Sequence, residues 1–356
     1  MEYIFNDVLE IKNGKNQKAV ENPDGMYPIY GSGGIMGHAD DYICDAHTVI
    51  IGRKGSINNP IYVSEPFWNV DTAFGLFANK ELLLPRYLFY FCKKFDFEKL
   101  NKTVTIPSLT KSDLLKINID LPTITEQKEV VDKLLKIETV IGLRNKELIA
   151  LDNLIKARFV ELFDLQGCEQ KTLGECTDFV DYRGHTPELS NDGTIRMVNA
   201  KSVGKGFFKY IDEFVTEETY NSWMHRGLGL PGDVLFVTEG HTFGNTCLIP
   251  EDMTKFALGQ RVITIKGHNE VENAFLCSYM QTDMFWKDIN VYRTGGTAQG
   301  IRSKDLVKVS VPIPPKEQQL EFVEFAHQVD KSKVEVQKAL DETQQLFDSL
   351  MQQYFG

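Results

Sequence analysis

The sequence predicts an α+β protein, in which two mixed α/β globules are separated by a pair of long antiparallel coiled-coil helices in a pseudo-two-fold repeat. Three observations predict it. From Glu126 to Phe163 the chain has no Pro and a single Gly, Gly142, and its apolar residues recur at steps of three and four. Taken as alternating a and d positions, Val130, Leu134, Ile137, Ile141, Arg144, Leu148, Leu151, Ile155, Arg158 and Leu162 are apolar at eight of ten, the seam pattern of a coiled coil. At an offset of 192 residues the closing stretch repeats it with Phe322, Ala326, Val329, Lys333, Val336, Leu340, Thr343, Phe347, Leu350 and Tyr354, again eight of ten. The offset also holds outside the helices: Ser112 to Ile117 matches Lys304 to Val309, and Pro122 matches Pro314, so the chain is a tandem duplication. In sequence register the polar seam residues of one stripe, Arg144 and Arg158, fall where the other has Val336 and Leu350, and Lys333 and Thr343 fall where the first has Ile141 and Leu151. Two such stripes are expected to cover each other, as a rod of about 57 Å at 1.5 Å per residue. The expected limits are residues 1–120 for the first globule, 121–165 for the first helix, 166–311 for the second globule and 312–356 for the second helix.

The chain has 356 residues, enough for two cores, with ordinary globular shares of 42% hydrophobic and 25% charged residues, which excludes disordered and fibrous classes. There is no run of eighteen apolar residues, and the opening residues lack the basic-then-apolar order of a leader, so a cytoplasmic location is expected. The six Cys show no CxxC pair and no His at metal-ligand spacing, as expected of reduced structural thiols. The net charge of −11 by itself argues against a nucleic-acid partner, and the first 120 residues, with 13 basic against 15 acidic groups, are not basic either. If the chain binds DNA, it uses local patches beside a more basic partner.

In order, a polar loop before residue 25 leads to Tyr27 to Gly34, a short extended piece ending in glycines, with no P-loop or GxGxxG spacing. Thr48 to Ile51 reads as a buried strand and Ile61 to Val63 as another. Between them lies a tip with Arg53, Lys54, Ser56 and Asn58 beside glycines, residue types that reach base edges and phosphates. Asn59, Pro60, Ile61, Tyr62 brushes the Asn-Pro-Pro-aromatic motif of amino-methyltransferases but lacks its second Pro and a cofactor loop. Phe67 to Phe74 continues as strand. Pro85 to Leu100 reads as one helix with Leu88, Phe89, Phe91, Cys92 and Phe95 inward and Lys93, Lys94 and Lys99 outward. The second globule repeats the plan. Pro231 to Val237 is a turn into a buried strand, Thr238 to Asn245 its glycine-flanked tip, and Gly259 to Ile263 a third strand entry; residues 273–288 repeat the aromatic helix, and Thr294 to Ile301 stands where the first half has Lys102 to Leu109. His185, His225 and His241 form no HExxH pair, and no GxSxG elbow accompanies them.

The alternation of variable globule and long helix, with Leu121-Pro122 leading to Glu126-Gln127 and Pro314-Pro315 to Glu317-Gln318, resembles the specificity subunit of type I restriction-modification enzymes. Residues 27–34 (YPIYGSGG), 52–56 (GRKGS) and 67–74 (FWNVDTAF) look like one group of that family's target-recognition domains, and 231–236 (PGDVLF) with 259–262 (GQRV) like another. The resemblance implies a non-catalytic reader of double-stranded DNA. Each globule would take one half of a split, asymmetric target, and the helices would fix the spacer and dock two modification subunits and the restriction subunits. S-adenosylmethionine, ATP and Mg would belong to those partners, with no cofactor or metal in this chain. Base-contacting positions are then expected at Ser32, Arg53, Lys54, Ser56 and Asn58 in the first globule, and at Arg183, His185, Lys201, Thr238, His241 and Gln299 in the second. Three alternatives stay open: a self-sufficient DNA methyltransferase built around Asn59 to Tyr62, a subunit of a related fused methyltransferase-nuclease system, and a coiled-coil scaffold that binds protein.

Overall fold

The structure, a computed structural model, describes every residue except 104, 183–185 and 295–298. Its contacts divide the chain into two units, Met1–Glu147 with Val336–Gly356, and Leu148–Glu335. Each unit joins one globule to a half of each long helix, so each globule's core continues into the helices instead of stopping at their ends.

In the first unit a four-stranded antiparallel sheet runs in the order Leu9–Asn13, Ala73–Ala78, Thr48–Gly52, Ile61–Val63. The TVIIG strand is buried at all five residues because it has apolar layers on both faces. Val49 and Ile51 join the main core with Phe74 and Leu76, and Ile50 packs with Cys44, Val63 and Phe67 on the other side. A smaller sheet, Gly34–Ala39, Tyr27–Gly31, Trp68–Asn69, lies beside it in sequence order 2-1-3, its last pair parallel. The second unit repeats both sheets strand for strand: Thr177–Asp181, Val262–Gly267, Val234–Val237, Thr246–Leu248 in the larger, and Phe214–Val215, Ile195–Val198, Phe256–Leu258 in the smaller, again with one parallel pair. The duplication therefore extends to topology through regions where the two sequences share no wording.

Two expected helices are shorter than the sequence suggested. The first ends at Lys94, where Phe95 turns extended and Asp96 accepts the Glu98 amide to start a separate 3-10 turn, Phe97–Leu100. Tyr87, Leu88, Tyr90 and Cys92 are its buried residues, while Phe89 and Phe91 are half-buried. Its counterpart splits into Asn273–Tyr279 and Asp283–Tyr292 because the Thr282 side chain caps the second piece through the Phe285 amide. Periodicity alone sees the apolar face but not a capping residue inside it.

The long helices span Ile124–Leu162 and Lys316–Phe355. The first opens on a capping box: the Thr123 hydroxyl accepts from the Glu126 amide, and the Glu126 carboxylate accepts from the Thr123 amide at 2.8 Å. The Thr123 hydroxyl also donates to that carboxylate at 2.7 Å, and this bond, with the one from the Thr123 amide, holds the Glu126 carboxyl below the ordinary glutamate value of 4.5. All twenty expected seam positions are buried or half-buried and none is exposed. Within each unit the helix segments run antiparallel. In the first, Val130 and Leu134 share a core with Phe347 and Met351, and Arg144 donates to the Thr343 hydroxyl at 2.7 Å. In the second, Lys333 pairs with Asp152 at 2.9 Å, Arg158 with Glu321 at 2.6 Å, and the rings of Phe159 and Phe322 stand 5.3 Å apart. The expectation that polar seam residues would face apolar ones is thereby corrected. The 192-residue register marks equivalence by duplication, whereas antiparallel packing brings polar to polar, which satisfies groups that an apolar neighbour would strand.

Each long helix is pinned to its globule by the same device. Gln127 is fully buried; its Oε1 accepts from the Leu84 amide at 2.9 Å, and its Nε2 donates to the Leu82 and Pro122 carbonyls at 2.8 and 3.0 Å. Gln319, at the repeat offset, is equally buried, accepts from the Glu272 amide at 2.8 Å and donates to the Glu270 and Pro314 carbonyls. Leu84 and Glu272 are the N-caps of the globular helices, so one amide ties two helix starts together. The six cysteines are free, five of them buried, and burial pushes the Cys44 thiol up to about 12. Among the described residues no helix is long and apolar enough to cross a membrane, and no group of three or more His, Cys, Asp or Glu could hold a metal.

Candidate nucleic-acid interface

The tip after the Thr48–Gly52 strand is clamped through its backbone. Arg53 and Lys54 donate to the Thr72 carbonyl at 2.7 and 3.2 Å, Leu109 donates to the Arg53 carbonyl at 2.9 Å, and Gly55 to the Pro107 carbonyl at 3.0 Å. Glycine is required twice: a Cβ on Gly52 would lie 2.4 Å from the Ser56 carbonyl oxygen, and Gly55 has φ +83°. With the backbone bonds turned inward, Arg53, Lys54 and Ser56 project outward and are exposed. Among the described residues neither Arg53 nor Lys54 has an acidic partner, and the Arg53 guanidinium sits 5.9 Å from the Phe74 ring centroid. Ser32 joins this site, its hydroxyl 3.9 Å from the Cβ position of Gly55, so four of the five expected residues converge. Asn58 is otherwise engaged. Its Oδ1 accepts from the Phe97 amide at 2.7 Å and its Nδ2 donates to Asp96 at 3.2 Å, which anchors the loop to the 3-10 turn.

The second tip uses the same clamp. Thr238 donates to the Arg261 carbonyl at 2.8 Å and accepts from Ile301, while Gly240 donates to the Gln299 carbonyl at 3.0 Å. Isolated bridges Lys54↔Ser108 and Glu239↔Gly300 complete the match. Thr238 thus occupies the backbone slot of Arg53, but its short side chain is fully buried and among the described residues its hydroxyl has no partner, which takes it out of reach of a base. His241 and Gln299 are both exposed on this tip, and Gln299 accepts from Arg293 at 3.4 Å. Lys201 lies in a neighbouring 3-10 turn, Ala200–Ser202, with its ammonium held by Glu213, whose carboxyl the lysine keeps below the usual range. Arg183 and His185 lie outside the described residues.

Two residues at this tip escaped the sequence reading. Arg261 stands where the first globule has Thr72, adopts φ +69°, and pairs through Nε with Glu239 at 3.0 Å. A charged side chain in the left-handed region is costly and concentrates at functional positions. The available signal was a charged residue between glycine-glutamine and a buried strand. The two tips consequently present different chemistry from one scaffold, Arg-Lys-Ser in the first globule and Glu-His-Gln-Arg in the second.

Two equivalent globules with matched backbone clamps and unlike exposed side chains define a duplicated recognition protein. The comparisons name the class further. The family described as "Type I restriction modification DNA specificity domain" matches residues 2–153 and 168–344, and the chain belongs to this family. It is 24% identical over 294 residues to a putative type I restriction enzyme MjaX specificity subunit of Methanocaldococcus jannaschii, covering 73% of this chain and 66% of that protein. It is 22% identical over 342 residues to a putative type I specificity subunit, S.HindORF215P, of Haemophilus influenzae, covering 90% and 84%. In fold it matches the type I restriction-modification S subunit of M. genitalium with TM-score 0.65 at 17% identity, over 100% of this chain and 96% of that one. A second structure, from work on assembly and conformational transition of a type I system, matches with TM-score 0.57 at 17% identity over 100% and 97%.

Proposed function

We propose that this chain is the non-catalytic DNA-reading subunit of a type I restriction-modification complex, each globule taking one half of a bipartite, asymmetric target in double-stranded DNA. The observation that carries this reading is the pair of matched tips: the clamp is the same, while the exposed residues Arg53, Lys54 and Ser56 differ from Glu239, His241, Arg261 and Gln299. A scaffold that holds the backbone constant and varies the side chains suits two half-sites of different sequence, since base edges are read by side-chain donors and acceptors. The long helices dock two modification subunits, and restriction subunits join in the full complex. S-adenosylmethionine, ATP and Mg belong to those partners, which work in the cytoplasm of a bacterium or archaeon. The acidic balance of −11 is compatible with this role because the partners supply much of the phosphate contact.

The test is to express the chain with its modification subunit and map methylated adenines across the host genome. A bipartite motif with a fixed spacer is expected. Arg53→Ala should weaken or relax one half of that motif and leave the other intact; equal loss at both halves counts against the reading.

A further inference from the structure

We infer that a hairpin peculiar to the second globule, Ser202 to Lys209, is an additional DNA contact, with Lys205 and Lys209 on phosphates and Phe207 against the groove of the second half-site. The inference rests on the DNA-reading function proposed above and names the residues that extend it. In the first globule the strands Tyr27–Gly31 and Gly34–Ala39 are joined directly by Ser32 and Gly33, which abut the reading tip. The equivalent strands of the second globule, Ile195–Val198 and Phe214–Val215, are separated by residues 199–213. The insertion thus leaves the sheet at the place where Ser32 meets its tip.

Its geometry keeps it there. Val203 bridges Phe208, Gly204 donates to the Phe207 carbonyl at 2.9 Å and Lys209 to the Ser202 carbonyl at 2.8 Å, closing a tight hairpin whose turn uses Gly206 at φ +84°. Gly206 donates to the Thr246 carbonyl at 2.8 Å, and the Asn245 side chain donates to the Val203 carbonyl at 3.0 Å, so the hairpin is docked on the end of the second tip. Phe207 is nevertheless 52% exposed. Its ring lies over Gly204, where an added Cβ would come within 2.7 Å of the ring, and the Lys209 ammonium is 5.4 Å from its centroid.

Charge identifies the occupant. From Asn199 to Tyr210 the chain has three Lys and no acidic residue, inside a protein of net charge −11. The acids around the hairpin are engaged, Glu213 by Lys201, Asp212 by Arg196 and Asp252 by the Tyr210 hydroxyl. Among the described residues Lys205 and Lys209 have no acidic partner. Free lysines flanking an exposed aromatic ring complement a polyanion that also offers apolar base surface.

The experiment uses the chain assembled with its modification subunit and a duplex carrying the methylation motif, with binding followed across a salt series. Lys205→Ala with Lys209→Ala should weaken binding about tenfold or more at physiological salt and lower the slope of log affinity against log salt by about 1.8, two phosphates at about 0.9 each. Phe207→Ala should weaken binding about tenfold and relax the second half-site alone, Phe207→Tyr should restore it, and Gly204→Ala, by displacing the ring, should mimic the loss. An unchanged slope with wild-type preference in the second half-site overturns the inference. So does loss of the modification subunit from the variant complex with DNA contacts intact, which would make the hairpin a protein-docking surface. A wild-type complex that shows no bipartite binding overturns the proposed function itself, an outcome separate from the other two. The lysine pair is exposed, so its slope stands as the deciding measurement should a Phe207 variant fold poorly.

Discussion

Replacing Gln127 by Leu keeps the side chain's approximate volume and deletes its amide. The N–H of Leu84, the N-cap residue of a helix, and the Leu82 and Pro122 carbonyls would lose a partner at a site with no exposure. An orphaned buried donor costs about 1–3 kcal/mol and each carbonyl about 1 kcal/mol, so the expected loss is about 4 kcal/mol. At a urea dependence of about 2–3 kcal/mol per molar, that moves the unfolding midpoint by roughly 1–2 M. Trp68 belongs to the first unit, Trp223 and Trp286 to the second, so tryptophan fluorescence can follow them separately once the others are changed to Phe. Gln127→Leu should shift the Trp68 transition, and Gln319→Leu the transition seen by Trp223 and Trp286. A loss below about 1 kcal/mol for both variants would refute the idea that these amides pin helix to globule.

Further outcomes follow from single contacts. Gly142 lies mid-helix and, beyond its own helix backbone, no described residue comes within 4 Å of its Cβ position, so Gly142→Ala should stabilise the chain by about 1 kcal/mol in the same titration. Gly52→Ala would press a methyl to 2.4 Å from the Ser56 carbonyl oxygen, and should weaken DNA binding through the first half-site together with Arg53→Ala, measured with the assembled complex. The carboxyls of Glu126 and Glu175 are both held below the ordinary 4.5 by hydrogen bonds from Thr123 and Thr172. Their contribution is complete above 4.5 and is lost as pH falls through the depressed folded values, so thermal midpoints should drop below pH 4.5 and Thr123→Ala should flatten that drop.

The sequence by itself determined the duplication, the two heptad ribs and the glycine-flanked tips. The ribs and the tips are written in neighbours three, four or a few residues apart and the duplication in a constant offset of 192, and a side chain at Val130 or Phe347 faces inward wherever its helix packs. Tertiary structure decided what those elements meet. Antiparallel packing sends Arg144 to Thr343 and Lys333 to Asp152, pairings that the repeat register does not contain. Thr238 and Arg53 share one backbone slot, yet only the longer side chain escapes it, because Ile301 and Leu109 close over that slot from more than fifty residues along the chain. Arg261, paired with Glu239, and Phe207, raised on its hairpin, became visible in the same way. The physical reason is that periodicity records which face of an element is apolar, whereas the exposure of a loop side chain is set by partners distant in sequence.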